Sequence, residues 1–96
     1  MTLPVTFTTA ASGHIADAAR WYEQKRKGLG SEFLAEVKRR TSLAATHPLQ
    51  CPYFHKDIRR IPLKRFPYLI YFRLSADRLL VVAVLHVRRN QASVVP

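Results

Sequence analysis

The sequence is poor in acid. Six Asp and Glu stand against 16 Lys and Arg, a formal net charge of +10 over 96 residues. Such an excess opposes compaction through self-repulsion and marks a chain that meets something anionic: nucleic acid, an anionic membrane surface or an acidic protein. Cysteine is nearly absent. Cys51 stands alone, which excludes an internal disulfide and fits a reducing compartment. Glycine is scarce as well, with only Gly13, Gly28 and Gly30. Gly28-Leu29-Gly30 joins one helical pattern to another rather than a strand to a helix, so no phosphate-binding loop can be built. No G-x-S-x-G elbow is present, and Cys51 sits beside Pro52 with no positioned base, so covalent catalysis has no visible apparatus. The longest apolar run is Leu79–Leu85, with Val87 beyond it, far below the roughly 20 residues of a membrane span. The N-terminal MTLPVTFTTAASGH carries neither the basic nor the apolar stretch of a secretory signal. The expectation is a soluble, cytoplasmic protein with no membrane partner.

What is present is ample apolar material, 48% of the chain, enough for one core in a single domain over residues 1–96. Val5-Thr6-Phe7-Thr8 alternates as a short strand. Thr9 or Ser12 then caps a helix to about Lys27, with Ile15, Ala18, Ala19 and Tyr22 on one face. Gly28 ends it behind Lys25, Arg26 and Lys27, where cations suit a helix C-terminus. A second helix starts between Leu29 and Ser31 and runs to about Thr46, before Pro48. Leu29, Phe33, Val37, Arg40 and Ala44 are expected inside, flanked by Leu34 and Thr41. Residues 47–57 read as a loop around Pro48 and Pro52. Three strands follow: Ile58–Leu63, put at an edge or bulge by Pro62, then Tyr68–Leu74 and Leu79–Val87, joined by a turn at residues 75–78. The expected fold is α+β in the order β-α-α-β-β-β, an antiparallel sheet packed against an N-terminal helical hairpin. Trp21 and Tyr22 are expected to anchor that hairpin on the sheet.

His47, Cys51 and His55 are spaced like metal ligands, but they are only three, with two prolines among them and no paired C-x2-C cluster. No metal and no cofactor is expected. The remaining constellation is basic and aromatic and lies in the sheet half. Arg59, Arg60, Lys64, Arg65, Tyr68, Arg88 and Arg89 are the candidate binding residues, since guanidinium groups clamp phosphate or carboxylate and tyrosines can stack on bases. RNA cleavage without metal would need a base, an acid and cations on the phosphate. His86, with Arg65 and Arg88, is the one set available, and the plainer reading of His86 is a ring satisfied by backbone at a strand end. Tyr68, Tyr71 and Phe72 likewise suit packing.

The stretch Ala18-Ala19-Arg20-Trp21-Tyr22-Glu23 followed by Gly28-Leu29-Gly30, Phe33 and Val37 resembles the helical hairpin of the RelE/ParE superfamily of bacterial toxins. Arg65–Phe72 (RFPYLIYF) is similar to that superfamily's central strand, and Leu79–Leu85 with His86-Val87-Arg88-Arg89 to its last one. The resemblance covers nearly the whole chain. It implies the toxin of a type II toxin–antitoxin pair, neutralised by a small acidic antitoxin. RelE-like members cut mRNA on the ribosome with sheet cations and a C-terminal Tyr or His; ParE-like members poison DNA gyrase. Leu69 stands where the RelE-like group carries a catalytic arginine, and the tail from Asn90 to Pro96 has no Tyr or His. The resemblance therefore implies a ParE-like gyrase inhibitor, with a ribosome-dependent endonuclease or a stand-alone nucleic-acid-binding module as the alternatives.

Overall fold

A computed structural model describes residues 2–89 and Val94. Its elements are β1 (Val5–Phe7), α1 (Thr9–Lys25), α2 (Leu29–Thr46), a 3-10 turn (Pro48–Gln50), β2 (Tyr53–His55), β3 (Ile58–Pro62), β4 (Tyr68–Leu74) and β5 (Leu79–His86). The strands form one sheet in the order β1-β5-β4-β3-β2. The α+β architecture with an early helical hairpin is as expected, with two corrections. The sheet is mixed rather than wholly antiparallel, because β1 runs parallel to β5 while the other pairs are antiparallel. β1 precedes the helical hairpin and runs in the same direction as β5, the last strand, along its outer edge. The supposed loop at 47–57 also contains β2. Pro48 and Pro52 both precede that strand and leave it uninterrupted, and Lys56 turns the chain back with a φ of 49°.

Pro62 sits where the ladder asks nothing of it. The Arg60 amide faces β2 and donates to the Pro52 carbonyl at 3.2 Å. Two residues on, the Pro62 nitrogen faces the same side, past the end of β2, where no donor is required.

Thr8 is the N-cap of α1, its hydroxyl accepting from the Ala11 amide at 3.1 Å. The hairpin turn is closed by Glu23, whose carboxylate accepts from the Gly28 amide at 2.9 Å and the Gly30 amide at 3.0 Å. It thereby satisfies amides at the N-terminus of α2, where Gly28 takes a φ of 89° that L side chains rarely adopt.

The hairpin packs on one face of the sheet. Phe33, Val37, Ala44 and Ala45 meet Ile61, Ile70, Phe72, Leu79, Val81 and Val84. The inward face of α2 differs from its expected membership at Leu34, which is 47% exposed, and at Glu36, which is 3% exposed. Arg40 lies half-buried, its Nε donating to the Pro62 carbonyl at 2.9 Å. Glu36 is buried because the β3–β4 turn needs it: its carboxylate accepts from the Lys64 amide and, at 2.8 Å, from the Arg65 amide. Trp21 does not anchor the hairpin and is 51% exposed. Tyr22 alone does so, its ring 5.4 Å from Phe33 and 4.8 Å from Phe66. On the opposite sheet face Ile58, Tyr71, Ala83 and Leu85 form a second buried cluster, against which Phe54, Leu69, Val82 and Val94 pack.

Candidate functional site

β1 stops at Phe7, opposite Val81. Beyond that point the outer edge of β5 would be left open, and the start of α1 completes it with side chains. The Thr8 hydroxyl donates to the Val82 carbonyl at 3.3 Å, and the Val84 amide donates to Nδ1 of His14 at 3.2 Å. α1 then diverges from the sheet and leaves a cleft of about 510 Å³. His14, Asp17 and Trp21 line one wall, a stripe at i, i+3 and i+7. Tyr68 and His86 line the other as a cross-strand pair, rings 5.3 Å apart and 77° inclined. Tyr22 and Arg89 also face it.

The backbone decides what these imidazoles can do. Nδ1 of His14 is occupied as an acceptor, so the neutral ring carries its proton on Nε2. His86 is held the same way, its Nδ1 accepting from the Arg88 amide at 3.1 Å. Each ring therefore offers a donor, and neither serves as a base without giving up a backbone bond. Burial raises the pKa of both Tyr22 and Tyr68, which remain neutral O–H groups. The cleft is aromatic and rich in donors, and Arg89 adds a cation.

Burial, and secondarily the charge of Arg89, hold the His14 pKa below its ordinary value. A folded-state pKa below the unfolded one gives stability that is complete above the unfolded value of about 6.5 and is lost as pH falls from there through the depressed value. We expect the melting temperature to fall between pH 7.5 and pH 5, and His14→Ala to flatten that dependence in thermal melts. An equal slope in the variant would assign the pH response to other groups.

The sequence-predicted binding residues fall in several places. Tyr68 and Arg89 join His86 in the cleft. Lys64 and Arg65 line a second groove with Lys38, Arg39 and Arg40 of α2, of about 890 Å³. There Arg65 pairs with Glu32 at 2.6 Å, which raises the arginine pKa and lowers that of the carboxylate. Arg60 lies over the Phe54 ring at 4.8 Å. Arg59 is 8% exposed, with Nη1 donating to the Cys51 carbonyl at 2.7 Å and its guanidinium 3.8 Å above the Tyr53 ring. It holds the segment leading into β2. Arg88 is exposed after β5. Of the nuclease set, His86 lines the cleft while Arg65 lines the α2 groove, and Leu69 packs against the second cluster. Cys51 is buried, which raises its thiol pKa. Among the described residues no three His, Cys, Asp or Glu side chains gather as a metal site. No described helix is long and apolar enough to cross a membrane.

Sequence reasoning missed His14. Its signal was the shared helical stripe with Trp21, but only the early end of β1 gives the ring a partner. A further feature is an apolar groove of about 770 Å³ beside the unpaired edge of β1, lined by Val5, Phe7, Ile15, Leu34 and Val37, with Lys38 on its wall. Phe7 is 40% exposed there, as uncovered as Leu34 nearly is.

Residues 5–91 match the family described as the ParE toxin of the type II toxin–antitoxin system, parDE. No curated protein matches the chain by sequence. Among solved structures, a chain of the chromosomal ParDE toxin–antitoxin system from P. aeruginosa superposes with a TM-score of 0.77 at 12% identity. The superposition covers 88% of this chain and 96% of that one, a likeness of fold. The family match spans almost the whole sequence, and the chain belongs to the ParE toxin family of type II toxin–antitoxin systems.

Proposed function

We propose that this toxin acts in the cytoplasm by binding DNA gyrase, and that an acidic antitoxin silences it by laying an amphipathic helix in the groove beside β1. The observation that carries the antitoxin reading is an apolar groove with Phe7 and Leu34 exposed in it, next to an unpaired strand edge. Apolar residues uncovered together on a small domain mark a surface that a partner covers. A helix with anchors at i, i+3, i+4 and i+7 suits such a groove, and an extended continuation can add to the β1 edge. Lys38 at the groove, and Lys64, Arg65, Arg88 and Arg89 elsewhere on the surface, would attract an acidic partner and speed its encounter.

The gyrase reading is supported by the state of the imidazoles. Ribosome-dependent mRNA cleavage, the alternative, needs a group that takes a proton from the 2′-hydroxyl. His14 and His86 are both held as Nε2–H donors by backbone amides. A stand-alone nucleic-acid module would need neither the apolar groove nor a dedicated protein partner.

The test of the groove is Leu34→Asp, co-expressed with the product of the adjacent gene. Central apolar anchors commonly contribute 2 kcal/mol or more, so the affinity of the complex should fall about thirtyfold or further. Because Leu34 is half exposed, the free toxin should melt within a few degrees of the parent. Undiminished affinity in calorimetry would place the antitoxin on another face.

A further inference from the structure

The cleft between α1 and the ends of β4 and β5 carries chemistry that packing does not require. Its volume of about 510 Å³ lies within the roughly 300–1,000 Å³ typical of small-molecule sites. Trp21 lines one wall and is 51% exposed, with Lys25 Nζ 4.7 Å from its ring, and the ring pair of Tyr68 and His86 lines the other. With Nδ1 bonded to backbone in both His14 and His86, the nitrogen that each has available is an N–H donor. Arg89 adds a guanidinium. Asp17 also lines the cleft, but its carboxylate is paired with Arg20 at 2.7 Å, so it does not stand as an open negative charge against an anion.

A bare phosphate would leave the rings unused, and a purely apolar ligand would strand the donors. A nucleobase offers flat faces for the rings and acceptor atoms for the imidazole N–H groups, and its phosphate suits an arginine. We propose that this cleft is a nucleotide site, holding one base between Trp21 and the Tyr68–His86 pair with the attached phosphate on Arg89. The ligand is a nucleoside monophosphate unit, either free or within a single strand. The site is separate from the antitoxin groove and does not depend on which cellular target the toxin has.

Trp21 is the sole tryptophan, so its fluorescence reports this cleft directly. The purified chain is titrated at near-physiological salt with 5′-AMP and 5′-dTMP, and in a second arm with a single-stranded oligothymidylate. Saturable quenching by a mononucleotide is expected, weakened about tenfold or more by His86→Ala and by Arg89→Gln, the scale on which single stacking and charged contacts act. Lys27→Gln, which removes the same charge from the hairpin turn, should leave the affinity within about twofold of the parent, as expected for a screened remote charge. Competition by the oligonucleotide assigns the unit to a strand; its failure to compete assigns a free nucleotide. No quenching by either probe, or quenching weakened as much by Lys27→Gln as by Arg89→Gln, would overturn the proposal.

Discussion

Gly30→Ala will destabilise the protein by about 2–3 kcal/mol, lowering the melting temperature by roughly 10–20 °C. The direction opposes intrinsic propensity. Alanine within a helix is favoured over glycine by about 0.5–1 kcal/mol, and Gly30 lies in the first turn of α2 at an ordinary φ. The space decides the sign. A Cβ at Gly30 would stand 2.6 Å from the Ala19 carbonyl oxygen of α1 and 3.0 Å from Oε1 of Glu23. The carbonyl belongs to a helix backbone that cannot rotate away, so the helices must part. Parting them loosens Tyr22 on Phe33 and lengthens the bonds from Glu23 to the Gly28 and Gly30 amides. A neutral or raised melting temperature in Gly30→Ala, read by calorimetry, would mean that the hairpin is not packed this closely. Gly13, whose Cβ would meet nothing within 4 Å, serves as the control: Gly13→Ala should stabilise modestly.

Glu36→Ala should cost about 2 kcal/mol, because hydrogen bonds to a charged group contribute about 1.5–3 kcal/mol and the two amides it frees are only part-buried. The Glu36 carboxylate receives the Lys64 and Arg65 amides in the β3–β4 turn, and Arg39 approaches it at 3.7 Å. Removing it unfastens from α2 the turn that leads into Phe66 and Tyr68. Glu36→Gln retains an acceptor oxygen without the charge and should lose about half as much. Hydrogen exchange adds a local signature. The Lys64 and Arg65 amides should lose protection in Glu36→Ala before the amides of β4 and β5 do. Uniform loss of protection across the sheet would mean that Glu36 supports the core at large rather than this turn.

These two positions also show where reading the sequence stops. Both helices were legible because apolar residues recur at the helical period and Gly28 interrupts them, although α1 is capped by Thr8 rather than Thr9 or Ser12 and ends at Lys25 rather than Lys27. β4 and β5 were legible because Tyr68–Leu74 and Leu79–Leu85 are almost continuously apolar. The parallel pairing of β1 was not, since a three-residue strand carries no mark of its partner's direction. β2 was hidden because it is only three residues long and closely follows Pro48 and Pro52. Leu34 and Glu36 lie close together on α2, and the apolar one was placed beside the inward face because it is apolar. The sheet contacts a neighbouring stripe of the helix instead, and a turn 28 residues away supplies the amides that let a carboxylate be buried. The candidate site divides similarly. His86, Tyr68 and Arg89 were visible as types, and the backbone bond to His86 had been weighed as its plainer role. His14 required knowing that β1 ends at Phe7. Arg59, grouped with the surface cations, serves the Cys51 carbonyl and the Tyr53 ring.

The proposed gyrase target is tested most directly by DNA supercoiling. Purified toxin is titrated into DNA gyrase, ATP and relaxed plasmid, and the products are resolved on a gel. Supercoiling should fall as toxin reaches stoichiometry with gyrase, or cleaved plasmid complexes should accumulate, and the co-purified antitoxin should restore activity. His86→Ala should inhibit as the parent does. Supercoiling that continues undiminished at a large excess of active, folded toxin would contradict the account.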